Sequence, residues 1–242
     1  RIKAKIYREI PENQSGFMPR KGTREGIFNL RMIAERYLEK KKNVYVCFID
    51  YEKAFDRVKH EDLIKCLLKI GLDGKDVRLI STLYWSQVAT IRTDSGNSEE
   101  IKILKGVRQG CIISPILFIL YTEVIFRVIE ELEGLKIGGR NVNNLRYADD
   151  TALVAETEED LQKILDKLNE EGEKLGMRIN ATKTKTMVIT RYDKSNPMVN
   201  IKVNGKSLEQ VVSYIYLGQL ITANGKCDTE IKRRISIART TF

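Results

Sequence analysis

Two adjacent aspartates, Asp149 and Asp150, stand in the middle of NVNNLRYADDTALVA (residues 141–155), with short apolar segments on either side. Apolar flanks around a polar, turn-forming pair read as two strands joined by a turn over residues 148–150, which puts both acids at a hairpin tip. Two like charges a few ångströms apart raise each other's pKa unless cations neutralise them, so a divalent metal is the economical explanation for the pair.

A third carboxylate strengthens that reading. VYVCFID (residues 44–50) is a continuous β-branched and aromatic run, the pattern of a buried strand, and it ends in a charge at Asp50. Hard Mg²⁺ prefers carboxylate oxygens and retains waters, so Asp50 beside Asp149 and Asp150 would complete a two-ion site.

The rest of the chain supplies a frame for these acids. Thr23 is placed to cap a helix whose apolar face is Ile27, Leu30, Ile33, Ala34, Tyr37 and Leu38. Helical patterns occupy about 60–70 and 74–86, and QVATIRT and EEIKIL around DSGNS read as a hairpin. Ser114 is a natural N-cap with Pro115 at N1, predicting a strongly apolar core helix to about Leu132. An amphipathic helix follows Glu156, with Leu161, Ile164, Leu165 and Leu168 on its buried face. Strands at about 185–190, 199–203 and 211–217 precede a basic helix from about Asp228. Without repeats or a low-complexity linker, the pattern is one α+β unit with an antiparallel sheet.

Charge points to the partner. The 242 residues carry a formal charge of +9, distributed as 12 − 5 = +7 over residues 1–42, 18 − 24 = −6 over 43–175 and 12 − 4 = +8 over 176–242. Basic flanks around an acidic centre fit a groove whose walls hold phosphates and whose floor holds metal ions. Cys47, Cys66, Cys111 and Cys227 are widely spaced and His60 is the only histidine, so neither a zinc site nor a disulfide framework is indicated and a reduced, intracellular compartment is expected. No apolar run approaches the roughly 18 residues of a membrane span, so no membrane partner is expected.

The blocks VCFIDYEKAFD (46–56), GVRQGCIISPILF (106–118) and RYADD (146–150), in this order, resemble the reverse transcriptase family, and within it the non-LTR, LINE-type retrotransposon group. QSGFMPRKGTREGIFNLR (14–31), GMRINATKTKTMVI (176–189) and SYIYLGQLIT (213–222) are similar to further segments of that group, so the resemblance covers essentially the whole chain. It implies a polymerase palm with partial fingers, and RNA-directed DNA synthesis from deoxynucleoside triphosphates on an RNA template and a DNA primer. Asp50, Asp149 and Asp150, with the Tyr51 carbonyl, would hold two Mg²⁺ ions, for which Mn²⁺ is a possible substitute. Phe55 would be the steric gate against a ribose 2′-hydroxyl. Gln109 and Gly110 would lie near the nucleotide, and Lys183, or its neighbour Lys185, near the triphosphate. Tyr216, Leu217 and Gly218 would form the turn that grips the primer.

The same resemblance divides the chain into partial fingers at 1–43, palm with finger insertions at 44–210, and a primer-grip turn with the start of a truncated thumb at 211–242. The chain therefore reads as a fragment, with thumb and endonuclease regions expected on the same full-length polypeptide, acting in nucleus, cytoplasm or both. Met18 stands where relatives often place Arg, leaving Arg20, Lys21 and Arg24 as weaker candidates for phosphate contacts. An RNA-dependent RNA polymerase shares the palm, but Phe55 argues against it. A group II intron-type reverse transcriptase and a domesticated, non-catalytic nucleic-acid-binding remnant would also carry these blocks.

Overall fold

Burial on both faces explains the unbroken apolar run of the first strand, β1 (Val44–Ile49), because a strand covered on one side only would alternate. In the computed structural model, which describes residues 2–94, 96–191 and 197–241, β1 is the centre of a five-stranded sheet. The other strands are β2 (Asn144–Tyr147), β3 (Asp150–Ala155), β4 (Lys185–Ile189) and β5 (Glu209–Gln210), in the spatial order β5-β4-β1-β3-β2. All neighbours run antiparallel except β4 and β5, so the expected antiparallel sheet carries one parallel edge pair.

Among the described residues, seven α-helices surround the sheet: α1 (Ile2–Glu9), α2 (Thr23–Glu39), α3 (His60–Lys69), α4 (Gly74–Trp85), α5 (Ser114–Ile129), α6 (Glu158–Lys174) and α7 (Asp228–Thr241). Cys47, Ile49, Leu153 and Ala155 point into one core with the apolar faces of α5 and α6. Val44, Val46, Phe48, Ala152, Val154, Met187 and Ile189 point the other way, into a second core closed by α2. Outside the sheet, β6 (Ser213–Tyr216) and β7 (Gln219–Thr222) form a separate hairpin whose Tyr216 and Ile221 join that second core. No helix among the described residues is long and apolar enough to cross a membrane.

Several local expectations shift. Thr23 is the first helical residue of α2 and not its cap; Gly22 occupies the cap, and its N–H donates to the Glu25 carboxylate at 2.6 Å. Ser114 likewise opens α5 without capping it, and its hydroxyl instead meets the Tyr84 hydroxyl at 3.1 Å, tying α5 to α4. In both cases the helix begins one residue earlier than a cap at that position would require, so the hydroxyl-bearing residue lies inside the first turn, where it cannot accept from the N–H groups two and three residues on as a cap does. Asp150 belongs to β3, so the turn shrinks to residues 148 and 149. The segment expected as a strand at 199–203 is extended only at Lys202–Val203. The hairpin at 88–102 forms as two short ladders, and Ser95 lies outside the described residues. All four cysteines are free thiols.

Candidate active site

The register of the sheet decides where the three acids go. Ile49 on β1 pairs with Thr151 on β3, so Asp50, one residue past Ile49, comes level with Asp150, one residue before Thr151. Asp150 in turn pairs with Tyr147 across a two-residue tip of Ala148 and Asp149. Of these two, only Ala148 has a positive φ, 59°, which is the pattern of a II′ turn and a strained conformation for alanine.

Asp50, Asp149 and Asp150 thus share one end of the sheet, and they feel each other's charge. Partial burial, then Asp149, then Asp50 push the Asp150 carboxyl up to about 6. Asp149 is raised too, first by desolvation and also by Asp50, against a lowering hydrogen bond from its own backbone. Among the described residues no group of three or more His, Cys, Asp or Glu side chains closes around a single point. The donors are nevertheless all hard oxygens held at one open edge, where the surrounding chain partly desolvates Asp149 and Asp150 but still leaves them within reach of solvent, which suits a hard cation that keeps waters and substrate oxygens in its shell.

Asp50 is anchored from the other side by residues 178–184. Its N–H donates to Thr184 Oγ1 at 3.1 Å, and its carbonyl accepts from the Asn180 N–H at 2.8 Å. Tyr51 bridges Ile179, with the Glu52 N–H donating to the Arg178 carbonyl at 2.9 Å. The Asn180 side chain shapes the next turn by accepting from the N–H groups of Thr182 and Lys183 at 3.1 and 3.3 Å. Lys183 emerges from that turn exposed. Lys185 does not: its ammonium is held by Glu209 at 2.7 Å and the Thr182 carbonyl at 2.5 Å. Of the two lysines, Lys183 is the one with no side-chain partner among the described residues.

Beyond Asp50 the chain turns through Lys53, at φ 49°, into a 3-10 turn at Ala54–Arg57 that carries Phe55. The Phe55 ring is half-buried and stacks on Phe118 of α5. Its carbonyl accepts from the Val107 N–H at 2.9 Å, and the Val58 carbonyl from the Gly106 N–H at 2.7 Å, so the loop leading to Gln109 and Gly110 docks on the same turn. Gln109 is exposed, and Gly110 is required by its φ of 82°, with no neighbouring atom within 4 Å of where a Cβ would stand.

Tyr216, Leu217 and Gly218 form the turn of the β6–β7 hairpin, closed by the pair Tyr216 and Gln219. Leu217 and Gly218 have φ of 50° and 82°, both left-handed as a I′ turn demands. Tyr216 is buried, tilted against Phe48 at 5.5 Å. Tyr214, not singled out in the sequence, stacks on Phe48 at 4.3 Å, and burial, then the charges of Asp150 and Asp50, raise its hydroxyl. The signal available was its place two residues before Tyr216, on the same strand. The Gly218 carbonyl accepts from Arg233 and Arg234 of α7 at 2.9 and 2.8 Å, and Glu230 holds both guanidinium groups.

Arg146 is a further residue that the sequence pattern did not single out. Its side chain is fully buried, pairs with Glu123 of α5 at 2.8 Å and lies over the Phe126 ring at 4.3 Å. This ion pair ties the hairpin of Asp149 and Asp150 to the core helix.

Residues 1–221 match the family model described as reverse transcriptase (RNA-dependent DNA polymerase). The chain is 29% identical over 220 residues to the Retrovirus-related Pol polyprotein from type-2 retrotransposable element R2DM of Drosophila melanogaster, covering 88% of this chain and 21% of that protein. It is 32% identical over 225 residues to the RNA-directed DNA polymerase from mobile element jockey of Drosophila funebris, covering 89% and 24%. The chain therefore spans less than a quarter of the length of these relatives. In fold it is similar to apo telomerase from Candida tropicalis truncated from the C-terminal domain, with a TM-score of 0.66 at 16% identity over 92% of this chain and 42% of that one.

Proposed function

This chain belongs to the reverse transcriptase (RNA-dependent DNA polymerase) family, and from that premise we propose that it is the catalytic core of a non-LTR retrotransposon enzyme that extends a DNA primer along an RNA template. The observation that carries the proposal is the convergence of Asp50, Asp149 and Asp150 on one end of the sheet, with Asp150 raised to about 6 by burial and by the other two acids. Such mutual repulsion is relieved by divalent cations.

Asp50, Asp149 and Asp150, with the Tyr51 carbonyl, would hold two Mg²⁺ or Mn²⁺ ions. Ions bound there would activate the primer 3′-hydroxyl and neutralise the leaving pyrophosphate. Phe55 would lie under the incoming sugar, and Gln109 and Gly110 beside it. Lys183, unpaired and exposed, is suited to the triphosphate, where an ammonium neutralises or protonates the leaving group. The turn of Tyr216, Leu217 and Gly218 would hold the primer end.

On this reading residues 1–43 are partial fingers, 44–210 the palm and 211–242 the primer-grip turn and the entrance to a thumb. Endonuclease and thumb regions would lie on the same polypeptide, which would meet RNA in the cytoplasm and target DNA in the nucleus. A non-catalytic nucleic-acid-binding role would require none of the three carboxylates. Primer extension by the full-length polypeptide, with matched RNA and DNA templates, tests the proposal. Extension on RNA that is lost in Asp150→Asn supports it; retention of full activity in that variant refutes it.

A further inference from the structure

The N-terminal strap at residues 13–16 lies against the hairpin that carries Asp149 and Asp150. The Ser15 N–H donates to the Arg146 carbonyl at 2.8 Å and the Arg146 N–H to the Asn13 carbonyl at 2.9 Å, so the strap extends the sheet past β2 as a parallel bridge. Between these bonds sits Gln14, fully buried. Its Oε1 accepts from two backbone N–H groups, Gly16 at 2.8 Å and Ala148 at 3.1 Å.

Ala148 is the strained residue of the turn. It is buried, its φ is 59°, and its N–H lies at a hairpin tip where the strand ladder offers no acceptor. Gln14 supplies that acceptor from across the chain, 134 residues away. Gly16 completes the contact, because a Cβ there would stand 2.5 Å from the Ala148 nitrogen and 2.8 Å from the Tyr147 carbonyl carbon. Any side chain at residue 16 would push the turn outward. The Gln14 Nε2, buried, has no hydrogen-bond partner, so the oxygen end of the amide makes the contacts and the nitrogen end is tolerated without one.

We propose that Gln14 is a positioning residue of the active site: through its Oε1 it holds the strained Ala148 turn in the conformation that presents Asp149 and Asp150, and Gly16 provides the clearance. The inference rests on the reading of those two aspartates as the metal-binding pair. The Tyr147 and Asp150 pair closes the base of the turn, Gln14 fixes the residue inside it that precedes Asp149, and displacements of about 1 Å at a reacting centre can lower rates about a hundredfold.

The test is single-turnover nucleotide addition by the full-length polypeptide, in which the amplitude reports the fraction of competent molecules and the rate constant reports the site. Gln14→Met matches the length without a comparable acceptor; it is expected to lower the rate constant at least about tenfold at wild-type amplitude, with the KM for nucleotide little changed. Gln14→Glu keeps an oxygen at the same reach and is expected to be faster than Gln14→Met. A Gln14→Met rate constant within about twofold of wild type, a loss confined to amplitude, or a Gln14→Glu no faster than Gln14→Met overturns the proposal. Asp149→Asn is run alongside: full activity in that variant would remove the underlying reading of the site, whereas its inactivity together with a normal Gln14→Met removes the role of Gln14 alone.

Discussion

Phe55 lies flat on Phe118, with ring centroids 4.3 Å apart and planes 14° from parallel. Phe118 is fully buried in α5, so the Phe55 ring rests on a rigid support and cannot retreat from a sugar placed above it. A gate works only if it resists displacement. Phe55→Val is expected to raise ribonucleotide use, shifting the dNTP to rNTP ratio of kcat/KM by about tenfold to a hundredfold, or about 1 to 3 kcal/mol. Phe118→Leu should shift it in the same direction by less. An unchanged ratio in an active Phe55→Val enzyme would return Phe55 to the core.

The raised carboxyl of Asp150 gives the site a pH dependence with a defined sign. Its pKa lies near 3.8 when unperturbed and about 6 in the folded chain, so between these values the folded protein keeps a proton that the unfolded chain releases. Metal-free stability therefore falls as pH rises through that window, and the penalty persists above it. Divalent cations bound there would displace the proton, so calorimetric titration should find metal affinity weakening by up to about tenfold per unit as pH falls below about 6. Asp150→Asn should raise the melting temperature of the metal-free protein at neutral pH while abolishing metal-dependent activity.

Glu230 carries the opposite sign. Its bonds to Arg233 and Arg234, and from the Leu220 N–H, lower its carboxyl from 4.5 to about 2. The stabilisation is present above the unfolded value and is lost as pH falls toward about 2. Thermal melts from neutral to strongly acidic pH should show a decline in wild type that is flatter in Glu230→Gln. In that variant Arg233 and Arg234 also lose the partner that aims them at the Gly218 carbonyl, so affinity for primer–template should fall more than the rate of chemistry.

The Arg146 and Glu123 pair is expected to matter by what its rupture leaves behind. Desolvation lowers the Arg146 pKa and raises that of Glu123, the directions expected when burial opposes both charges. Glu123→Ala would strand a buried guanidinium and should destabilise by about 3 to 5 kcal/mol in urea denaturation. Replacing both residues by methionine should recover much of that loss. A double variant no more stable than Glu123→Ala would mean that the pair also holds the hairpin in place by geometry that apolar packing cannot copy.

From the sequence alone the elements that rest on local periodicity were legible: the buried strand that leads into Asp50, the hairpin of Asp149 and Asp150, the apolar helix that Pro115 helps to open and the amphipathic helix that follows Glu156. Spacing of apolar residues encodes which face is buried, and turn chemistry encodes where the chain reverses. The ordered motifs also carried the family. What the periodicity could not contain was partnership across long separations. That Asp50 comes level with Asp150 is a matter of sheet register, that Lys183 and not Lys185 is unpaired depends on Glu209, and that the Ser114 hydroxyl meets another side chain depends on Tyr84, 30 residues away. Arg146, Tyr214 and Gln14 looked like ordinary polar or aromatic residues until the fold gave them Glu123, Phe48 and the Ala148 N–H. The physical reason is that hydrogen bonds and ion pairs are satisfied by whichever group burial brings within about 3 Å, and only the closed tertiary structure determines which group that is.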